Sequence, residues 1–145
     1  MTGLEYLHAM IAGKRPDAPL ATLLSIRLVE ARHGHVRFEG MADERYTNPA
    51  GTIHGGWTAS LLDSAAALAA FSTLPAGKTS TTADLHMHCL RPIMPDGGIV
   101  TGEGSVINAG RTLILAQSRV LDAAGRLLAH ATSTCVVLDL KKRSR

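Results

Sequence analysis

The sequence predicts an α+β chain: one long antiparallel β-sheet wrapped around a central buried helix, with a short N-terminal helix ahead of it. Two observations predict this. From Thr79 to Leu138 the chain keeps returning to a period of two residues, the pattern of strands, broken only by short turns rich in Gly, Asn and Asp. Between Trp57 and Leu74 lies a run without Gly or Pro, rich in Ala and Leu, whose only formal charge is Asp63. A helix that is apolar on nearly every face has to be buried on nearly every face.

The elements follow in order. Thr2-Gly3-Leu4-Glu5 has the spacing of a capping box, and Leu4, Leu7, His8 and Ile11 recur at helical intervals. A short helix over about 3–12 is expected, stopped by Gly13 and Pro16. Strands are expected over 23–30 and 35–39, with Gly34 in the turn between them. Asn48-Pro49-Ala50-Gly51 is turn chemistry, and His54-Gly55-Gly56 opens the central helix. Four further strands are expected over 79–90, 99–107, 112–121 and 127–138, following one another as a meander. Such long strands favour a curved sheet.

Composition narrows the function classes. The 145 residues suit one domain, read as 1–140 with a basic tail over 141–145. A content of 46% hydrophobic and 19% charged residues excludes disorder. No apolar run approaches the ~20 residues of a membrane span, and Met1–Glu5 lacks the basic start of a signal peptide. Two cysteines suit a reducing compartment, so a cytoplasmic protein with no membrane partner is expected. The net charge of +3 resides in the tail, where Lys141, Lys142, Arg143 and Arg145 carry four positive charges and leave the body at −1. With five aromatic residues and no basic stripe among them, a nucleic-acid partner is not expected. The tail reads as a solvated end or as a tether to an anionic partner.

The chemistry concentrates between His54 and Asp63. Paired glycines at a helix start leave backbone N–H groups unshielded, and the helix dipole behind them suits an anion or a developing oxyanion. A buried carboxylate nine residues after the histidine is a candidate general base or nucleophile. Eight helical steps separate Gly55 from Asp63 by roughly 12 Å, too far for one reacting atom to touch both. Either the two features are unrelated, or a second copy of the chain completes the site with its helix running antiparallel.

The string Asn48-Pro-Ala-Gly-Thr-Ile-His54-Gly55-Gly56, with Asp63 downstream, resembles the hotdog-fold acyl-CoA thioesterases of the phenylacetate-degradation and 4-hydroxybenzoyl-CoA type. Asp84–Pro92, Gly110-Arg111 and Asp122–Leu127 are similar in the same order, so the resemblance covers nearly the whole chain. It implies homodimers, assembling further into homotetramers, with composite active sites and an acyl-CoA substrate. The Gly55 N–H would polarise the thioester carbonyl, with Gly56 beside it. His54 and Asn48 would position the thioester or assist the leaving thiol. Asp63 of the partner chain would activate water or attack directly. A Ser or Thr on the following strand would hold that water; Thr82 is the candidate, with Thr81 adjacent. Trp57 departs from the smaller aliphatic residue expected there and would either narrow the acyl pocket or fill the core. Arg91 and Arg111 are candidates for the phosphates of coenzyme A, which enters as part of the substrate; no other cofactor and no metal is implied.

Each residue also has a plain structural role open to it. Asn48 suits a turn, His54 a helix cap, the glycines close packing, and Asp63 an ion pair across an interface. Asp84, His86 and His88 share a strand face and would make a three-ligand metal site or an ordinary polar outer face. Cys89 and Cys135 read as core thiols. Ala76–Thr79 is not a phosphate-binding loop, since Ser72 stands where its first glycine belongs. Gly102-x-Gly104 lies inside a strand and is no dinucleotide fingerprint, and there is no G-x-S-x-G elbow. The alternatives to a thioesterase are a hotdog hydratase or dehydratase and a non-catalytic acyl-thioester binding module.

Overall fold

The computed structural model describes residues 1–140; the basic tail lies outside the described residues. The chain forms α1 (Gly3–Ile11), α2 (Pro19–Leu23), β1 (Ile26–Arg32), β2 (His35–Met41), a 3-10 turn at Glu44–Tyr46, α3 (Gly55–Phe71), β3 (Lys78–Cys89), β4 (Ile99–Ala109), β5 (Leu113–Leu121) and β6 (Leu127–Asp139). All six strands join one antiparallel sheet in the order β1-β2-β4-β5-β6-β3.

The capping box forms as expected. The Thr2 side chain accepts from the Glu5 N–H at 3.2 Å, and Glu5 accepts in return from the Thr2 N–H at 2.6 Å. The first strand, by contrast, begins later than the alternation suggested. Pro19 starts the extra helix α2, which Leu23 ends, and Ser25 turns the chain at φ 56°. Leu20 and Leu23 are exposed, so their apolar character reported no burial. The meander is also only partial. β4, β5 and β6 are consecutive neighbours, but β3 lies on the far edge beside β6, and the chain crosses from it to β4 next to β2.

Helix α3 packs into the curve of this sheet against β2 through β6. Ala65, Ala66, Ala69 and Ala70 are fully buried, and their small side chains let helix and sheet approach closely. The glycines of β4 complete that approach. A Cβ at Gly102 would stand 2.6 Å from Leu61 Cδ1, and one at Gly104 would run into the Ala65 carbonyl oxygen. The helix is not enclosed on every side, however. Ser60, Asp63, Ser64, Ala67, Leu68 and Phe71 are only half-buried and form one stripe. Asp63 is therefore half-buried, not fully buried as its apolar neighbours suggested. The sheet covers one face of α3, and the remaining stripe looks out beside the edge strands.

Candidate active site

A small loop builds the start of α3. Thr47 and Ile53 form an antiparallel bridge, and the His54 N–H donates to the Tyr46 carbonyl at 2.7 Å. Gly51 makes the return at φ 86°. Asn48 locks the loop from within. Its Oδ1 accepts from the N–H groups of Ala50 and Thr52 at 3.0 and 3.3 Å, and its Nδ2 donates to Thr52 Oγ1 at 2.8 Å. One Nδ2 hydrogen is left over by this pattern.

His54 is the N-cap of α3. Its Nδ1 accepts from the Gly56 N–H at 2.8 Å, so the neutral ring carries its proton on Nε2, on the exposed side. A Cβ at Gly56 would stand 2.9 Å from that Nδ1, whereas one at Gly55 would meet nothing within 4 Å. Gly56 thus serves the cap, and Gly55 leaves backbone open. Among the described residues nothing accepts from the Gly55 N–H.

Gly55 and Asn48 line one cavity of about 310 Å³ together with Thr58, Cys89, Arg91 and Leu128. His54, Gly56 and Trp57 line a neighbouring groove of about 390 Å³ with Tyr46, Leu24 and Ser60. Trp57 belongs mainly to the core: it is buried, its Nε1–H donates to the Leu24 carbonyl at 2.8 Å, and its ring stacks on Tyr46. Asp63 lies in neither cavity. Its Oδ1 accepts from Thr82 Oγ1 at 2.8 Å, which leaves Oδ2 free of that bond.

Thr82, not Thr81, faces the helix because β3 carries a bulge. The register against β6 shifts between Thr82 and Asp84, so Thr82 pairs with Cys135 and Asp84 with Thr134, leaving Ala83 unpaired. The inserted residue turns Thr82, Leu85 and Met87 to the inner face and Asp84, His86 and His88 to the outer one. Two bonds pin it: Ser133 Oγ donates to the Asp84 carbonyl at 2.9 Å, and the Asp84 carboxylate accepts from the Thr134 N–H at 2.8 Å. Among the described residues no three His, Cys, Asp or Glu side chains converge as metal ligands. Cys135 is buried, and its thiol pKa is pushed up by burial first, with the charges of Asp63 and Asp84 adding to the shift. Cys89, expected in the core, is exposed: it ends the edge strand, at the wall of the Gly55 cavity.

Arg91 and Arg111 stand far apart. The Arg91 N–H bonds to Leu128 at the start of β6, whereas Thr112, next to Arg111, bonds to Val137 near its end. Nine strand residues span about 30 Å. The sequence reading did not single out Thr52, which holds Asn48, or Asp17, which shares a cavity with Asp63. Neither lies in a periodic pattern that would have flagged it.

A curved antiparallel sheet around one central helix, with an open helix N-terminus at one site and a paired carboxylate at another, defines a hotdog-fold thioester hydrolase. The chain belongs to the thioesterase superfamily, whose family model matches residues 50–129. It is 32% identical to human acyl-coenzyme A thioesterase 13 over 131 residues, 90% of each chain. Among solved structures it resembles a phenylacetic acid degradation-related protein from Ralstonia eutropha, with TM-score 0.82 and 26% identity over 90% of this chain and 98% of the other. A thioesterase from Haemophilus influenzae matches at TM-score 0.82 and 25% identity over 98% and 94%.

Proposed function

We propose that the protein hydrolyses the thioester of a small or medium acyl-CoA to the free acid and CoA, at a site shared by two copies of the chain. The observation that carries the reading is the Thr82–Asp63 hydrogen bond, which fixes a half-buried carboxylate at the wall of a cavity within a thioesterase fold. Its missing counterpart, a donor for the carbonyl oxygen, stands about 12 Å away on the same helix at Gly55.

An antiparallel pairing of two chains brings these halves together, and β3 supplies the surface for it. Its 12 residues lie at one sheet edge without proline. The opposite edge, β1, is only seven residues long and is packed by α1 and α2. A long, uncovered edge is a template for a second strand.

In the shared site the Gly55 N–H of one copy polarises the thioester carbonyl, helped by the helix dipole. Asp63 of the other copy takes a proton from water held by Thr82, and the resulting hydroxide adds to the carbonyl carbon. The tetrahedral oxyanion rests on the Gly55 N–H. Its collapse breaks the C–S bond and releases the CoA thiolate, which takes up a proton. Asn48 and His54 Nε2–H flank the thioester. Arg91, on the rim of the Gly55 cavity, meets CoA phosphates, and Arg111 reaches them from the other copy. No metal or redox cofactor is required. The proposed compartment is the cytoplasm, supported by two free thiols; among the described residues no helix is long and apolar enough to cross a membrane.

The test is free-thiol release from a panel of aryl- and alkyl-CoA esters, with Asp63→Asn beside the wild type. Selective hydrolysis lost in the variant supports the reading. No hydrolysis of any ester by the wild type overturns it.

A further inference from the structure

Among the described residues four polar ones are buried to 3% exposure or less: Thr58, Ser72, Ser118 and Ser133. Two of these use their hydroxyls inside the chain. Ser72 Oγ donates to the Ala69 carbonyl at 2.7 Å, and Ser133 Oγ donates to the Asp84 carbonyl at 2.9 Å. Ser118 Oγ is unpartnered and sealed from solvent. Thr58 differs from all three. Among the described residues its Oγ1 has no hydrogen-bond partner, yet it is not one of the sealed orphan atoms, so the hydroxyl keeps an opening. The space that Thr58 borders is the cavity of about 310 Å³ shared with Gly55 and Asn48. A threonine inside a helix can satisfy its hydroxyl on the carbonyl one turn earlier. Ser60 of the same helix does this, donating to the Gly56 carbonyl at 2.9 Å. Thr58 does not, and a buried hydroxyl left without a partner is explained most simply by an acceptor that arrives with a ligand.

We propose that Thr58, under the thioesterase reading above on which its role rests, is a second oxyanion donor: its O–H joins the Gly55 N–H in holding the thioester carbonyl oxygen as negative charge develops there. Helix geometry supports the pairing. Thr58 follows Gly55, the first helical residue of α3, by three positions. Residues so spaced are neighbours on the helix surface, about 5–6 Å apart. The Cβ of a helical residue leans towards the N-terminus, which carries the Thr58 hydroxyl towards Gly55. An oxygen about 2.8–2.9 Å from each donor fits between them. Chemistry supports the role. The hydroxyl keeps its proton throughout and donates only a hydrogen bond. Its buried setting strengthens a bond made to a developing charge and needs no rearrangement when that charge forms.

The experiment measures kcat and KM for a CoA ester that the wild type hydrolyses, in the wild type, Thr58→Val and Thr58→Ser, with the unfolding midpoint of each. Val keeps the branched shape and removes the O–H; Ser keeps the O–H and removes the methyl group. Thr58→Val should lower kcat by about ten- to hundredfold, the worth of one hydrogen bond to a charged group. KM should change little, because the bond gains its strength only as the oxyanion forms. Thr58→Ser should restore most of the rate. A Val variant with the wild-type kcat overturns the assignment. So does a raised KM at unchanged kcat, which would put the hydroxyl against a part of the substrate that does not react. Equal losses in Val and Ser also overturn it, since the two share only altered packing. Should the midpoint show that Thr58→Val has lost its fold, Thr58→Ala is compared with Thr58→Ser in its place, under the same criteria. A wild type that hydrolyses no ester ends the thioesterase reading and the role of Thr58 with it, whereas an active wild type matched by Thr58→Val sinks Thr58 alone.

Discussion

Thr82 Oγ1 donates to Asp63 Oδ1 at 2.8 Å, joining strand β3 to the middle of helix α3. The bond holds one oxygen of a half-buried carboxylate and leaves the other free of it. Under the proposed mechanism Asp63→Asn removes the base and should lower kcat by about 10²–10⁴-fold, with the oligomer intact by sedimentation. Thr82→Val removes a bond to a charged group, worth about 1.5–3 kcal/mol, and should cost roughly ten- to hundredfold in kcat. Thr82→Ser should keep most activity. A Val variant as active as the Ser variant would show that the hydroxyl has no part in the reaction.

A shared site predicts complementation. Gly55 is the first helical residue of α3, a position that tolerates proline, so Gly55→Pro deletes the N–H without breaking the helix. Asp63→Asn and Gly55→Pro chains should each be inactive. When the two are co-refolded in equal amounts, half of the dimers are mixed and each mixed dimer holds one intact site, so about a quarter of wild-type activity should return. Recovery at the level of the separate variants would mean that each chain carries its whole site.

The bulge at Ala83 should be legible in kinetics. Asp84 touches no proposed substrate atom, yet its carboxylate accepts the Thr134 N–H that the bulge leaves beside it. Asp84→Ala should release the local register and misdirect Thr82, lowering kcat about tenfold with little change in KM, in line with one lost hydrogen bond. Asp84→Asn retains an acceptor oxygen and should restore most of the rate. Equal losses in Ala and Asn would point to the charge of Asp84 instead of the bulge.

Close contact between α3 and β4 gives a stability prediction. A methyl group at Gly104 would run into the Ala65 carbonyl, and backbone cannot yield as a flexible side chain does. Gly104→Ala should destabilise by about 1–3 kcal/mol, the usual cost of overpacking, read as a lower midpoint of denaturant unfolding. Gly55→Ala, where a Cβ meets open space within the chain, should leave that midpoint within about 0.5 kcal/mol. A midpoint unchanged in Gly104→Ala would contradict the packing described.

Local patterns were enough for much of this. The Thr2–Glu5 box, the bounds of β4, β5 and β6 to within two residues, and the long Ala-rich helix all arise from contacts among near neighbours or from periodicity. The motif from Asn48 to Asp63 marked the candidate site residues, and the helical rise alone separated Gly55 from Asp63. Other features depend on partners distant in sequence. That β3 sits beside β6 and not β4 is a property of the whole sheet. That Leu23 ends a helix instead of starting a strand follows from Pro19 and the turn at Ser25. Strict alternation along β3 would put Thr82 on the outer face with Asp84 and turn Thr81 to the helix. The choice of Thr82 belongs to one unpaired residue, Ala83, held by Ser133 and Thr134 some 50 positions away. A bulge is set by the register of the opposite strand, so only the assembled sheet decides which threonine meets the carboxylate.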